Sequence, residues 1–206
     1  MTPVKLIENA DAAAIAEWLA QHLTAALASA KGPIAIAIPG GSTPFPILAE
    51  LQAYTLDWSR ITVWPTDDRV VPEEHAASNV GRIRALLEPL GAHITALAPG
   101  AAPPHFALVW LGMGEDGHIA SLFPNTDPHA DDIVPVRRLT PDPLPPEAPF
   151  DRFSLTIPAL CDCDAVLFVI RGEAKAALFA AAVQGLNDLP VARLLAAVRA
   201  PVTCFT

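Results

Sequence analysis

The chain has 206 residues, 52% of them hydrophobic, and sets 13 Lys and Arg against 22 Asp and Glu for a formal net charge of −9. That length suits one well-buried α/β domain and is short for two, and the apolar fraction excludes a disordered chain. The acidic balance, without any basic cluster, argues against nucleic acid, whose binding rests on neutralising phosphates with Lys and Arg. No apolar run approaches the roughly 18 residues of a membrane span, and Glu8 and Asp11 interrupt the start where a signal peptide is apolar. We therefore expect no membrane partner and a cytoplasmic location. An anionic ligand would meet a repelling overall field and would need a local group of cations. Cys161, Cys163 and Cys204 match neither a redox C-x-x-C nor a zinc framework and read as reduced, structural thiols.

In chain order, Val4–Ile7 reads as an edge strand. Residues 11–30 place Ile15, Leu19, Leu23 and Leu27 four apart, one face of a helix that Lys31-Gly32-Pro33 ends. Ile34–Ile38 predicts a central strand running into Pro39-Gly40-Gly41-Ser42-Thr43-Pro44. Glycines, Ser/Thr and a proline in that order describe a tight loop and a helix N-terminus. Free N–H groups and the helix dipole make such a junction a natural anion site. The loop lacks the spacing and Lys of a Walker A sequence, and a plain strand-to-helix connection has the same composition. A third strand over residues 61–64 leads into Asp67-Asp68-Arg69. These are charges at the same sheet edge or, equally, a solvated turn with a local ion pair. Ser78 or Asn79 caps a helix carrying Ile83, Leu86 and Leu87. His75 and His93 read as structural, and a short strand is expected around residues 94–97.

The segment ALVWLGMGEDGHIASLFPN, residues 107–125, organises the rest. A short apolar strand ends in Gly112, Gly114 and Gly117, so the backbone there can approach a ligand closely. Glu115, Asp116 and His118 sit inside that loop. A strand entering such a loop describes the carboxyl edge of a parallel sheet, where open α/β folds bind their ligands. Residues 126–150 are polar, with Pro141, Pro143, Pro145, Pro146 and Pro149 close together, and read as a stiff surface loop near the site, within the single domain of residues 1–206. Residues 152–158 alternate as a strand and residues 165–170 form a fully apolar one, both expected to rejoin the sheet. The second runs into Arg171-Gly172 and a helix with Lys175 in its first turn. The elements predict a single-domain, open, mostly parallel sheet flanked by helices on both faces, Rossmann-like in type.

Five strings, in order, resemble the 6-phosphogluconolactonases: IAIPGGSTPFPILAEL, D-D-R-V-V-P followed by H-x-x-S-N, GMGEDGHIASLFP, R-F-S-L-T-I-P, and G-E-A-K-A-A-L. Asp68 stands where that family usually has Glu, and the C-terminus is only loosely similar. The resemblance implies hydrolysis of 6-phospho-D-glucono-1,5-lactone, with no cofactor and no metal, by a monomer or weak homodimer. It implies His118 as the base that activates water, with Asp116 or Asp67 orienting its ring. Arg69 and Lys175 would grip the phosphate with Ser42 and Thr43. Loop N–H groups at Gly40 and Gly41, or at Gly112 and Gly114, would serve the oxyanion or the phosphate. The glucosamine-6-phosphate deaminases share the fold, but their histidine loop continues D-G-H-x-A-F-N-E-P. This chain has no acid at that point and has Arg69 where they carry Tyr. A sugar-phosphate-sensing module is the other alternative; it predicts a helix-turn-helix domain and a degenerate histidine loop.

Overall fold

The computed structural model describes residues 3–144 and 149–206. Ten strands and six α-helices are laid out along them: β1 (Val4–Ile7), α1 (Ala12–Ser29), β2 (Ile34–Ile38), α2 (Pro44–Leu51), β3 (Ile61–Pro65), β4 (Asp67–Arg69), α3 (Asn79–Leu87), β5 (His93–Ile94), β6 (Leu108–Leu111), β7 (Val136–Leu139), β8 (Arg152–Leu155), α4 (Ile157–Cys161), β9 (Val166–Val169), α5 (Glu173–Val183), α6 (Pro190–Ala197) and β10 (Val202–Phe205). Seven strands form an all-parallel sheet in the order β1-β10-β9-β6-β2-β3-β5.

The alternation within each strand divides the core. Ile34, Ile36 and Ile38 face one side with Leu108, Trp110, Leu167 and Val169, where α1, α2 and α3 cover them with Ile15, Leu19, Leu48 and Ile83. Ala35, Ala37, Val109, Leu111, Val166 and Phe168 face the other, against Leu160, Phe179, Val191 and Leu194 of α4, α5 and α6. Every residue of β2, β6 and β9 is buried, as expected of parallel strands covered on both faces. The three cysteines are unbridged, and burial raises their thiols to about 11 for Cys161 and about 12 for Cys163 and Cys204. They are inert thiols of the core.

A second, antiparallel sheet, β4-β8-β7, grows from the carboxyl end of β3. Thr66 is the graft: its N–H donates to the Ile38 carbonyl of β2, and its own carbonyl accepts from the N–H of Leu155, the last residue of β8. Here the structure differs from the sequence reading. Residues 67–69 form a strand with Asp67 and Asp68 almost fully buried, where a solvated turn was an open alternative. Residues 152–155 pair within the small sheet and do not rejoin the large one. Part of the stretch read as a loop, Val136–Leu139, is the edge strand β7, with Val136 and Leu139 turned into the core. Pro141, Pro143 and Pro149 stay outside strands and helices, and Pro145 and Pro146 lie outside the described residues. Among the described residues no helix is long and apolar enough to cross a membrane.

Candidate active site

The strand order reverses direction between β2 and β6, the switch point at which open α/β sheets place their ligands. There a cavity of about 530 Å³ opens. Gly40, Gly41, Ser42 and Thr43 wall it from the β2–α2 loop. Gly112, Gly114 and His118 enter from the loop after β6, Arg171 and Lys175 from the β9–α5 junction, and Asp67, Arg69 and Arg152 from the small sheet. All the expected site residues except Asp116 line this one space, and Asp116 stands directly behind His118.

The histidine loop is built around that pair. Asp116 Oδ1 lies 2.6 Å from His118 Nδ1 and also accepts the His118 backbone N–H at 3.1 Å. The hydrogen bond from His118 holds the Asp116 carboxyl below the usual carboxylate range. An ionised carboxylate only accepts, so the imidazole carries its proton on Nδ1. Phe123 packs against the ring, centroids 4.5 Å apart. Gly114 has no alternative: a Cβ there would overlap the imidazole. The loop is tied to α6 by the Val191 N–H donating to the Gly117 carbonyl at 3.2 Å.

Asp67 takes other partners. Its Oδ2 accepts from Ser121 Oγ at 2.6 Å, and Thr66 Oγ1 and Asn79 Nδ2 stand at 3.5 Å. Of the two carboxylates open for orienting the ring, Asp116 is the one hydrogen-bonded to it. Asp68 serves the fold: it accepts from the backbone N–H groups of Arg69, Asn79 and Val80, and from Ser78 Oγ. Burial raises its carboxyl above the usual range against the pull of those N–H groups.

Positive charge is concentrated here despite the acidic surface. Arg69 gives Nη1 to the Ala77 carbonyl at 2.9 Å and to Asn79 Oδ1 at 3.1 Å, while its buried Nε has no partner among the described residues. Arg152, directly opposite Arg69 in the β4–β8 pairing, is 3% exposed, and burial followed by the neighbouring Arg69 charge lowers its pKa. Arg171 reaches back to the Ala10 carbonyl with Nη2 at 2.6 Å. The charges of Asp67, Asp68 and Asp151 oppose the lowering at Arg152, and two guanidiniums beside a cavity favour an anion within it. Thr43 begins α2 with no side-chain cap bond among the described residues, and Gly41 is left-handed at φ 96°. Arg152, Arg171 and Asn79 were not read as site residues from sequence. Arg152 falls in a string whose alternation announced only a strand, and what brings it to the site is its register opposite Arg69.

A parallel α/β sheet with a cation-lined, histidine-bearing cavity at its switch point describes a phosphosugar-handling protein. The chain belongs to the glucosamine-6-phosphate isomerase/6-phosphogluconolactonase family, whose model matches residues 8–202. It is 37% identical over 220 residues to a 6-phosphogluconolactonase of Pseudomonas putida, covering 93% of this chain and 89% of that one. It is 34% identical to that of Caulobacter vibrioides, over 98% and 96% of the two chains. The fold matches the crystal structure of 6-phosphogluconolactonase from Thermotoga maritima with a TM-score of 0.82 at 23% identity, covering 100% and 99% of the chains. It matches the enzyme of Trypanosoma cruzi with 0.81 at 20%, over 100% and 95%.

Proposed function

We propose that the chain hydrolyses 6-phospho-D-glucono-1,5-lactone to 6-phospho-D-gluconate, with His118 activating the water. The observation that carries the reading is the His118–Asp116 pair facing a cavity whose other walls hold Arg69, Arg152, Arg171 and Lys175. With Nδ1–H given to Asp116, Nε2 is left as the base. It takes a proton from water as the oxygen attacks the lactone carbonyl, and backbone N–H groups of the glycine loop after β6 receive the oxyanion. Collapse breaks the bond from the carbonyl carbon to the ring oxygen, and the imidazolium returns its proton to that oxygen. The carboxylic acid then loses its own proton to solvent. A positioned base contributes about 10²–10⁴ and one oxyanion donor about 10²–10³. The cations, with Ser42 and Thr43, hold the phosphate.

Phe123 bears on the deaminase alternative. Counting from His118, it occupies the position at which the deaminase-type loop carries its acid, and its ring lies against the imidazole. The net charge of −9 supports neither a nucleic acid nor an anionic membrane as partner. A phosphorylated substrate does not cross a bilayer unaided, which argues for the cytoplasm.

The test is one assay with chelator present. Protein is incubated with the lactone generated in situ and, separately, with glucosamine 6-phosphate. Acid release from the lactone far above the spontaneous rate, with no ammonia from the amino sugar, is expected. Ammonia release would overturn the reading in favour of a deaminase, and tight binding of both compounds without turnover would favour a sensor. Loss of activity with chelator would overturn the metal-free mechanism.

A further inference from the structure

Asn79 is 1% exposed and reaches the cavity from the first turn of α3. Its side-chain Nδ2 donates to the Asp67 carbonyl at 2.8 Å, and its Oδ1 accepts from Arg69 Nη1 at 3.1 Å. A carbonyl only accepts and a guanidinium only donates, so the amide has one orientation. The same amide fills the place where Gly40 would carry a side chain: a Cβ on Gly40 would overlap Oδ1, Cγ and Nδ2. One buried amide therefore touches the β2–α2 loop, the β4 backbone and the guanidinium of Arg69.

The side chain is not needed to start the helix. Ser78 Oγ accepts the Gly81 N–H at 3.1 Å, and the Asp68 carboxylate accepts the backbone N–H groups of Asn79 and Val80. Any residue but proline at position 79 would offer that N–H. What the Asn79 amide adds is control of Arg69. Asn79 and the Ala77 carbonyl together hold Nη1, which fixes the roll of the planar guanidinium and so the direction in which its remaining N–H groups point.

We propose that Asn79 is a positioning residue for anion binding: it sets the roll of the Arg69 guanidinium and the seat of Gly40, and through both the pocket's grip on the substrate's phosphate. This rests on the reading of the cavity as a phosphosugar site.

The test is a double-mutant cycle. Asn79→Ala, Gly40→Ala and the double variant are assayed on the phosphorylated lactone and on unphosphorylated gluconolactone. The Kd for inorganic phosphate is measured by calorimetry, and urea unfolding checks the fold. Asn79→Ala is expected to raise KM for the phosphorylated lactone about tenfold, with kcat and the unphosphorylated reaction within about threefold. Gly40→Ala, whose methyl must push the amide off Arg69, is expected to do the same. The double variant should be no worse than Asn79→Ala alone, because the methyl then fills the vacated space. Equal losses on both substrates, or additive losses in the double variant, would overturn the proposal. Should the unmodified protein hydrolyse neither lactone, the reading of the cavity fails and the phosphate Kd still decides. A roughly tenfold weakening in Asn79→Ala supports the positioning role, and an unchanged Kd refutes it.

Discussion

In the proposed mechanism His118 and Asp116 divide the work: one ring for the proton, and one carboxylate, 2.6 Å away, to fix which nitrogen carries it. His118→Ala should lower kcat at least about 10²-fold with little change in KM, since a base acts in the transition state and not in binding. Asp116→Asn should retain the fold and lower kcat by about 10²–10⁴-fold, because an amide can hold the ring in the wrong tautomer. Steady-state kinetics on the phosphorylated lactone decides both, and full activity in either variant would remove its assigned role. Arg69→Ala and Lys175→Ala belong to binding. A charge-assisted hydrogen bond is worth about 1.5–3 kcal/mol, so each should raise KM roughly 10–100-fold while leaving the unphosphorylated lactone nearly unaffected. His118 and Asp116 could be picked out because a glycine-rich strand end announces itself, whereas Arg69 and Lys175 were singled out by the family resemblance. Arg152 and Asn79 were picked out by neither, since their roles come from pairing register and from a contact with Gly40 between residues far apart in sequence.

At the scale of elements, the long apolar strands and the amphipathic α1 could be read directly, while the small sheet could not. β4 consists of Asp67, Asp68 and Arg69, a composition that propensity assigns to a turn. It becomes a strand because Thr66 joins it to β2 and β8, and because Asp68 finds three backbone N–H donors. β7 was hidden in the same way: two arginines separate Val136 from Leu139, and prolines follow closely. Asp68 thus carries a prediction about stability. Asp68→Ala strands buried donors at the start of α3, each costing about 1–3 kcal/mol, and should lower the urea midpoint clearly. The pH dependence has a definite sign. Burial raises the Asp68 carboxyl above its unfolded value of about 3.9. Between those two values the folded chain holds a proton that the unfolded chain has released, so this group's contribution to stability falls as pH rises through that window. Asp68→Asn should flatten that part of the stability profile, and an unchanged slope would show that another group sets it.

The whole molecule is polarised along its strands. The carboxyl ends of β2, β6 and β9 border the cavity of the candidate site, whereas the opposite edge is given to fastening. There His105, just before β6, lies 2.6 Å from Asp162 through Nδ1 and 3.0 Å from Asp164 through Nε2, both in the α4–β9 connection. A ring donating to two carboxylates needs a proton on each nitrogen, so this histidine is a cation when the clasp is closed. The hydrogen bond to Asp162, then that to Asp164, raises its pKa. The sign follows from the raised value. The clasp's stabilisation is fully present below the unfolded histidine pKa of about 6.5 and is lost as pH rises through the higher folded value. The groups are more than half exposed, so the magnitude is that of a surface pair, about 0.2–1 kcal/mol. In a domain of this size that is roughly 0.5–4 °C in Tm. His105→Ala should therefore lower Tm in mildly acidic buffer and converge on the unmodified protein in alkaline buffer. Backbone bonds from Phe106 to Asp162 and from Asp164 to Phe106 keep the strands in register without the clasp, so kcat and KM should stay within about twofold. A Tm difference that grows with rising pH would reverse the assigned charge of His105. A loss of kcat would mean that the two edges of the sheet are coupled through β6 and β9.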